Sequence, residues 1–339
     1  MRICAAVIGG GSWGTTVAHL LAHNTSTVLW ARDPEVADTI ATSHRNQRYL
    51  ADFDLHPNLR ATASLLEAVE QADLLVMGVP SHGFRSTLEL VAEHLRAWVP
   101  VVSLTKGLEQ GSRRRMTEVI NEVLPGHPFG VLTGPNLAKE IMSGDAAAAV
   151  LAMSDATIAS ELHTLFATHL FRVYTNPDVV GCEVAGALKN VMAIASGMAD
   201  GLGTGDNTRA AVITRGLGEL TRLGVAMGGQ AVTFSGLAGM GDLVATCIST
   251  QSRNRYVGEQ LGRGRTIDEI IAEMSMVAEG VKTALVVREL AEQYGVDMPI
   301  AEEVHAVLYD SRTANEAYRG LLGREYGDEL RGLADAARP

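Results

Sequence analysis

The chain has 339 residues, 47% apolar and 20% charged, long enough for two cores of ordinary globular composition. Its 28 basic and 39 acidic residues give a net charge of −11, which argues against nucleic acid and anionic membranes as partners. Three cysteines, Cys4, Cys182 and Cys247, form no C-x-x-C pair and an odd count, as expected of a reduced, cytoplasmic protein with no metal site.

The first apolar run, 2–8, leads straight into VIGGGSWG (7–14) and a helical pattern from Thr15 onward. Gly9, Gly11 and Gly14 therefore form G-x-G-x-x-G at a strand-to-helix turn, where the spacing carries meaning. Gly9 permits a tight turn, Gly11 lets a pyrophosphate approach bare backbone, and Gly14 lets the helix pack close. The helix N-terminus then suits an anion, so a dinucleotide is expected. No secretory segment is expected ahead of this strand.

Further apolar runs follow at 27–31, 73–79, 100–104, 129–133, 146–152 and 170–174, separated by helical stretches. That rhythm predicts an α/β Rossmann-type, doubly wound parallel sheet. The strand ends read GGGSWG, RDPE, PSHG, TKG and TGPN, rich in glycine and small polar residues, as a shared ligand crevice requires. The second run ends in Arg32, placed to hold a 2′-phosphate, followed by Asp33, which keeps NAD open beside NADP. Lys106, at the end of a strand beside Gly107, is a candidate for cofactor or substrate contact.

From residue 179 the strand pattern stops and helical patterns run at 179–199, 207–227, 231–238, 253–262, 266–275, 278–295, 299–309 and 313–323. The expected organisation is a dinucleotide-binding domain over 1–178 and an all-α substrate-binding and catalytic domain over 179–339. The apolar window 179–199 contains Glu183 and Lys189, so it reads as a buried helix rather than a membrane span. Lys189 shares a helix face with Ala185, Gly186, Met192, Ala193 and Ser196, whose small side chains leave room beside it. A lysine removed from water there can act as a general acid/base. Gly239–Thr246 reads as a glycine-rich turn presenting Asp242 and Thr246. Ser252-Arg253-Asn254-Arg255 either binds a phosphate or carboxylate, or is a helix cap with solvated arginines.

The stretches GGGSWGTTVA, TKGLE, TGPNLAKE, FRVYTNPD, GALKNVMAIASGMADG, NTRAAVITRG, GMGDLVATC, QSRNR and VAEGV, in this order, resemble bacterial-type NAD(P)-dependent glycerol-3-phosphate dehydrogenases. The resemblance runs from Ile3 to about Gly323. It implies a cytoplasmic homodimer that interconverts dihydroxyacetone phosphate and sn-glycerol 3-phosphate with NADPH or NADH and feeds phospholipid synthesis. It also implies roles by position. Ser12, Trp13 and Arg32 would contact the cofactor, and Lys106 cofactor and substrate. Gly134, Asn136 and Ala138 would line the junction of the two ligands. Lys189 would transfer the proton, helped by Asp242 and Thr246. Ser252, Arg253 and Asn254 would hold the substrate phosphate and hydroxyls, Arg253 also reaching the nucleotide, while Val277 and Glu279 close over the cofactor.

Two positions depart from the family pattern. Gly10 stands where alanine is more common, a change expected to matter little, and Asn136 replaces a serine or threonine, so a hydroxyl contact becomes an amide contact. Two other readings stay open: a β-hydroxyacid dehydrogenase, whose carboxylate substrates need no SRNR cluster, and a non-catalytic NADPH-binding sensor, which needs no acid/base set.

Overall fold

A computed structural model of the protein describes residues 3–274 and 278–323. They divide into two compact units, one drawn from Met1–Lys106 and Arg114–Val179, the other from Gly107–Arg113 and Val180–Pro339.

The first unit opens with β1 (Cys4–Ile8), α1 (Ser12–Asn24), β2 (Ser26–Trp30), α2 (Pro34–Ser43), β3 (Leu59–Thr62) and α3 (Leu65–Val69). It continues with β4 (Leu74–Met77), α4 (Ser81–Ala92), β5 (Val101–Ser103), α5 (Met116–Val123) and β6 (Phe129–Thr133). It closes with α6 (Ala138–Met142), β7 (Ala147–Met153), α7 (Ala156–Phe166) and β8 (Phe171–Asn176). These strands form one sheet in the order β3-β2-β1-β4-β5-β6-β7-β8. Alternation along β1 serves both faces: Ala5 and Val7 pack with Val17 and Leu21 of α1, Ala6 and Ile8 with Phe84 and Leu88 of α4. The order reverses between β1 and β4, which opens a crevice at their carboxyl ends.

Two features of the sheet differ from the sequence reading. β3 went unread because LRAT is half polar and pairs at the sheet edge. β7 runs antiparallel to β6, not parallel as expected. The five-residue α6 rises about 7.5 Å, while β6 is about 16 Å long. So short a helix cannot return the chain to the far end of the sheet, and the next strand starts where the last one stopped.

The second unit is helical: α8 (Val179–Gly201), α9 (Asp206–Ala226), α10 (Ala231–Phe234), a π turn (Leu237–Gly241), α11 (Asp242–Ile248) and α12 (Arg253–Gly262). α13 (Ile267–Glu273), α14 (Glu279–Tyr294), α15 (Pro299–Tyr309) and α16 (Ala314–Leu322) complete it. The most apolar window of α8 is 94% buried, so its hydropathy is that of a core helix. The expected glycine-rich turn over 239–246 is instead the π turn followed by α11. The glycines precede the helix and do not interrupt it, and Asp242 in its first turn suits the helix dipole.

α8 and α12 cross on four glycines. A Cβ on Gly197 or Gly201 would lie 2.0 Å from the Arg255 carbonyl or 2.2 Å from that of Glu259; one on Gly258 or Gly262, 2.0 Å from the Ile194 carbonyl or 2.4 Å from that of Met198. Backbone therefore packs directly on backbone, and α8, which carries Lys189, is fixed against α12, which begins at Arg253.

Candidate active site

In the first unit the three fingerprint glycines have distinct reasons to be glycine. Gly9 has φ +127°, and a Cβ there would lie 2.6 Å from the Gly78 carbonyl. A Cβ on Gly14 would lie 2.0 Å from the Gly9 carbonyl, so the start of α1 rests on the turn. Gly11 meets nothing within 4 Å, leaving its backbone open to a pyrophosphate, as the fingerprint requires. Gly10, where the family more often has alanine, is closely packed. A Cβ there would come 2.8 Å from that of Ala31, coupling the glycine turn to the residue before Arg32.

Ser12 and Trp13 open α1, and Trp13 packs edge-on to Phe171 at 6.3 Å. The Trp13 Nε1 is buried with no hydrogen-bond partner among the described residues. Arg32 is exposed. Asp33 has both oxygens engaged: Oδ1 accepts from Glu35 N–H at 3.0 Å, capping α2, and Oδ2 from Arg48 at 3.0 Å. The acid that kept NAD open in the sequence is thus committed elsewhere.

Lys106 follows β5 and donates from Nζ to the Gly134 carbonyl at 2.8 Å. Gly134 has φ +136° and backs onto Ala149, which gives the TGPN turn its shape. Asn136 in that turn buries both amide atoms with no partner among the described residues. A buried amide has a strong need for partners, and Asn136 and Trp13 together offer the donors and acceptor that a dinucleotide can satisfy. Ala138 is the first residue of α6. The residues present fit the cofactor that the fingerprint implies.

In the second unit Lys189 is 5% exposed. Its Nζ donates to Asp242 Oδ1 at 2.5 Å and to Thr246 Oγ1 at 2.6 Å. Asp242 and Thr246 stand one turn apart on α11, and Thr246 Oγ1 also donates to the Asp242 carbonyl at 2.6 Å. Two of the three ammonium hydrogens are so engaged; the third has no partner among the described residues. Cys247 lies nearby, and burial pushes its thiol up to about 12, against the pull of the Lys189 charge.

The SRNR cluster resolves into different tasks. Ser252 caps α12, accepting from Arg255 N–H at 3.2 Å, so the capping alternative holds for its side chain. Asn254 donates to Asn190 Oδ1 and accepts from Gly280 N–H, both at 2.9 Å, which ties α12 to α8 and α14. Arg255 is held by Asp200 at 2.8 Å and by Glu259. Arg253 is exposed; crowding lowers its pKa from the usual arginine value, and the charge of Glu279, at the start of α14, opposes that. Val277, expected over the cofactor, lies outside the described residues.

Residues that sequence reading missed are mostly positioning residues. Asn46, fully buried, donates to the Gly10 carbonyl and to Thr15 Oγ1, both at 2.9 Å. No local spacing marks it, since its partners lie 31 and 36 residues away. Asn190 was visible only as the neighbour of Lys189.

The family model described as the NAD-dependent glycerol-3-phosphate dehydrogenase N-terminus matches residues 4–159, and that described as the C-terminus matches 178–319. A glycerol-3-phosphate dehydrogenase [NAD(P)+] 2 of Sphingopyxis alaskensis is 59% identical over 329 residues, covering 97% of this chain and 99% of its own length. One from Mycobacterium tuberculosis is 59% identical over 327 residues, 96% of each chain. The crystal structure of the Coxiella burnetii glycerol-3-phosphate dehydrogenase superposes with a TM-score of 0.91 at 35% identity, covering 95% of this chain and 99% of that one. A ketopantoate reductase from Ralstonia eutropha, at 16% identity and TM-score 0.57, shares the fold. With both family models matched in order and near-complete relatives at this identity, the chain belongs to the NAD-dependent glycerol-3-phosphate dehydrogenase family.

Proposed function

We propose that the protein reversibly reduces dihydroxyacetone phosphate to sn-glycerol 3-phosphate, with NADPH preferred over NADH. The observation that carries the reading is Lys189, a buried ammonium oriented by Asp242 and Thr246 with one hydrogen left to donate, in a chain of this family. Residues 1–178 would bind the dinucleotide, and 179–339 the substrate.

When bound, the dihydronicotinamide supplies the hydride that reaches the carbonyl carbon. Lys189 donates its third N–H to the carbonyl oxygen, polarises it, and passes the proton to the developing alkoxide. The resulting amine stays in register because Asp242 and Thr246 still hold it. In the reverse direction the same amine takes the hydroxyl proton. Lys106, anchored by the Gly134 carbonyl, is assigned by the resemblance to contact with cofactor and substrate. The resemblance assigns the substrate phosphate to Arg253, while Arg255 pairs with Asp200. Holding the phosphate fixes the reacting carbon through binding energy spent away from it. Ser252 and Asn254 reinforce this end chiefly through the start of α12. Gly11, Ser12 and Trp13 receive the dinucleotide, Asn136 and Ala138 border it, and exposed Arg32 takes the 2′-phosphate.

The resemblance further supports a cytoplasmic homodimer that supplies phospholipid synthesis. Oxidation of NADPH with dihydroxyacetone phosphate, followed by absorbance, tests the activity. Arg253→Ala should raise KM for the phosphorylated substrate about 10- to 100-fold and change turnover of unphosphorylated dihydroxyacetone far less. Equal wild-type turnover of both substrates would overturn the phosphate reading and favour a hydroxyacid-type enzyme.

A further inference from the structure

Asp33 Oδ1 is used by the α2 cap and Oδ2 by Arg48 Nη1. Arg48 belongs to the segment that joins α2 to β3. Two residues earlier, Asn46 donates to the Gly10 carbonyl and to Thr15 Oγ1, and its own Oδ1 accepts from Tyr49 N–H at 3.2 Å. One short strap therefore grips the glycine turn with a buried amide and the acid after β2 with a guanidinium.

An acid at the end of β2 selects an unphosphorylated ribose, because it accepts from the hydroxyls and repels a phosphate in their place. In this chain the acid is present but occupied. Arg32 and Asp33 alone sum to zero charge; with Arg48 the group carries a net positive charge beside the glycine turn. We propose that Arg48 determines selectivity for a 2′-phosphorylated dinucleotide by acting through Asp33, filling its second oxygen and cancelling its charge. This rests on the reading that the ribose end of the cofactor lies at Arg32.

The side chains of Arg48 and Asp33 are 58% and 43% exposed, and an ion pair so wet adds little to stability. Its effect is instead read as selectivity. The test is steady-state kinetics with NADPH and with NADH for wild type, Arg32→Ala, Arg48→Ala, Arg48→Lys and the Arg48→Ala/Asp33→Asn double variant. Arg48→Ala should raise KM for NADPH about fivefold and lower KM for NADH about twofold, since the freed acid now repels the phosphate and accepts from hydroxyls. Arg48→Lys should keep most of the wild-type ratio. Adding Asp33→Asn to Arg48→Ala should recover NADPH binding and erase the NADH gain, while the α2 cap survives through the amide oxygen. An unchanged NADPH/NADH ratio in Arg48→Ala, or an equal rise in both KM values, overturns the inference. If Arg32→Ala itself leaves selectivity unchanged, the reading of the ribose end falls. If Arg32→Ala shifts selectivity and Arg48→Ala does not, only the role of Arg48 falls.

Discussion

An ammonium as buried as that of Lys189 is costly unless paired, and Asp242 supplies the pairing at 2.5 Å. The same contact fixes which hydrogen points away for the substrate. Asp242→Asn keeps the size and a hydrogen-bonding oxygen but removes the charge and the fixed acceptor pattern. It should lower kcat about 10²- to 10³-fold while leaving the NADPH dissociation constant, read by fluorescence titration, within about twofold. An unchanged kcat would remove Asp242 from the mechanism. The legibility of the site follows sequence distance. Gly9, Gly11 and Gly14 could be read because a turn needs them within a few residues, and Lys189 because its own helix face is small. That Asp242 and Thr246 reach Lys189 across 53 and 57 residues came only from family resemblance. Asn46 and Arg48 act across a loop, where no periodicity records a partner.

At the scale of elements, the glycine crossing of α8 and α12 couples stability to substrate binding. A Cβ at Gly258 would press on the Ile194 carbonyl, part of a core helix that cannot yield cheaply. Gly258→Ala should destabilise by about 2–4 kcal/mol and raise KM for the phosphorylated substrate, because Arg253 sits on the displaced helix. Gly83 is the control: it lies within α4 and a Cβ there meets nothing within 4 Å. Gly83→Ala should stabilise by about 0.5–1 kcal/mol. Opposite signs in chemical denaturation check both; a wild-type midpoint for Gly258→Ala would mean the helices have room to part. Most strands that could be read were those buried on both faces, where apolar runs are continuous; β8, at the other edge of the sheet, shows as the alternating run LFRVY. The edge strand β3 and the reversal at β7 depend on pairing and on connection length, which composition does not record. α11 was missed for a related reason: glycines mark both a turn and a close helix approach, and only packing tells them apart.

At the scale of the whole molecule, two titratable groups, one in each unit, buried Glu219 and half-buried His19, drive stability in opposite directions with pH. Burial raises Glu219 from 4.5 to about 7, against the pull of the Ile300 and Ala301 N–H groups that it caps at 2.8 and 3.2 Å. Between these values the folded chain keeps a proton that the unfolded chain releases, so stability falls as pH rises through the window. The shift corresponds to about 3 kcal/mol. His19, in the other unit, is lowered from 6.5 to about 4 by burial first and by His23 and His56 next. There the unfolded chain binds the extra proton, so stability is lost as pH falls through that range. The two slopes oppose between about pH 4.5 and 6.5, flattening the wild-type profile. Asp73, held below the usual carboxylate range by Cys4 N–H and then by Arg96, titrates lower, while His56, lowered by burial and then by His23, adds to the His19 slope. Melting temperatures from pH 4.5 to 7 should therefore separate two variants. Glu219→Gln should gain on wild type as pH rises, whereas His19→Asn, whose amide oxygen can still accept from His56 N–H, should lose ground over the same climb. Parallel profiles for both variants would show that neither group carries the proton linkage that its burial implies.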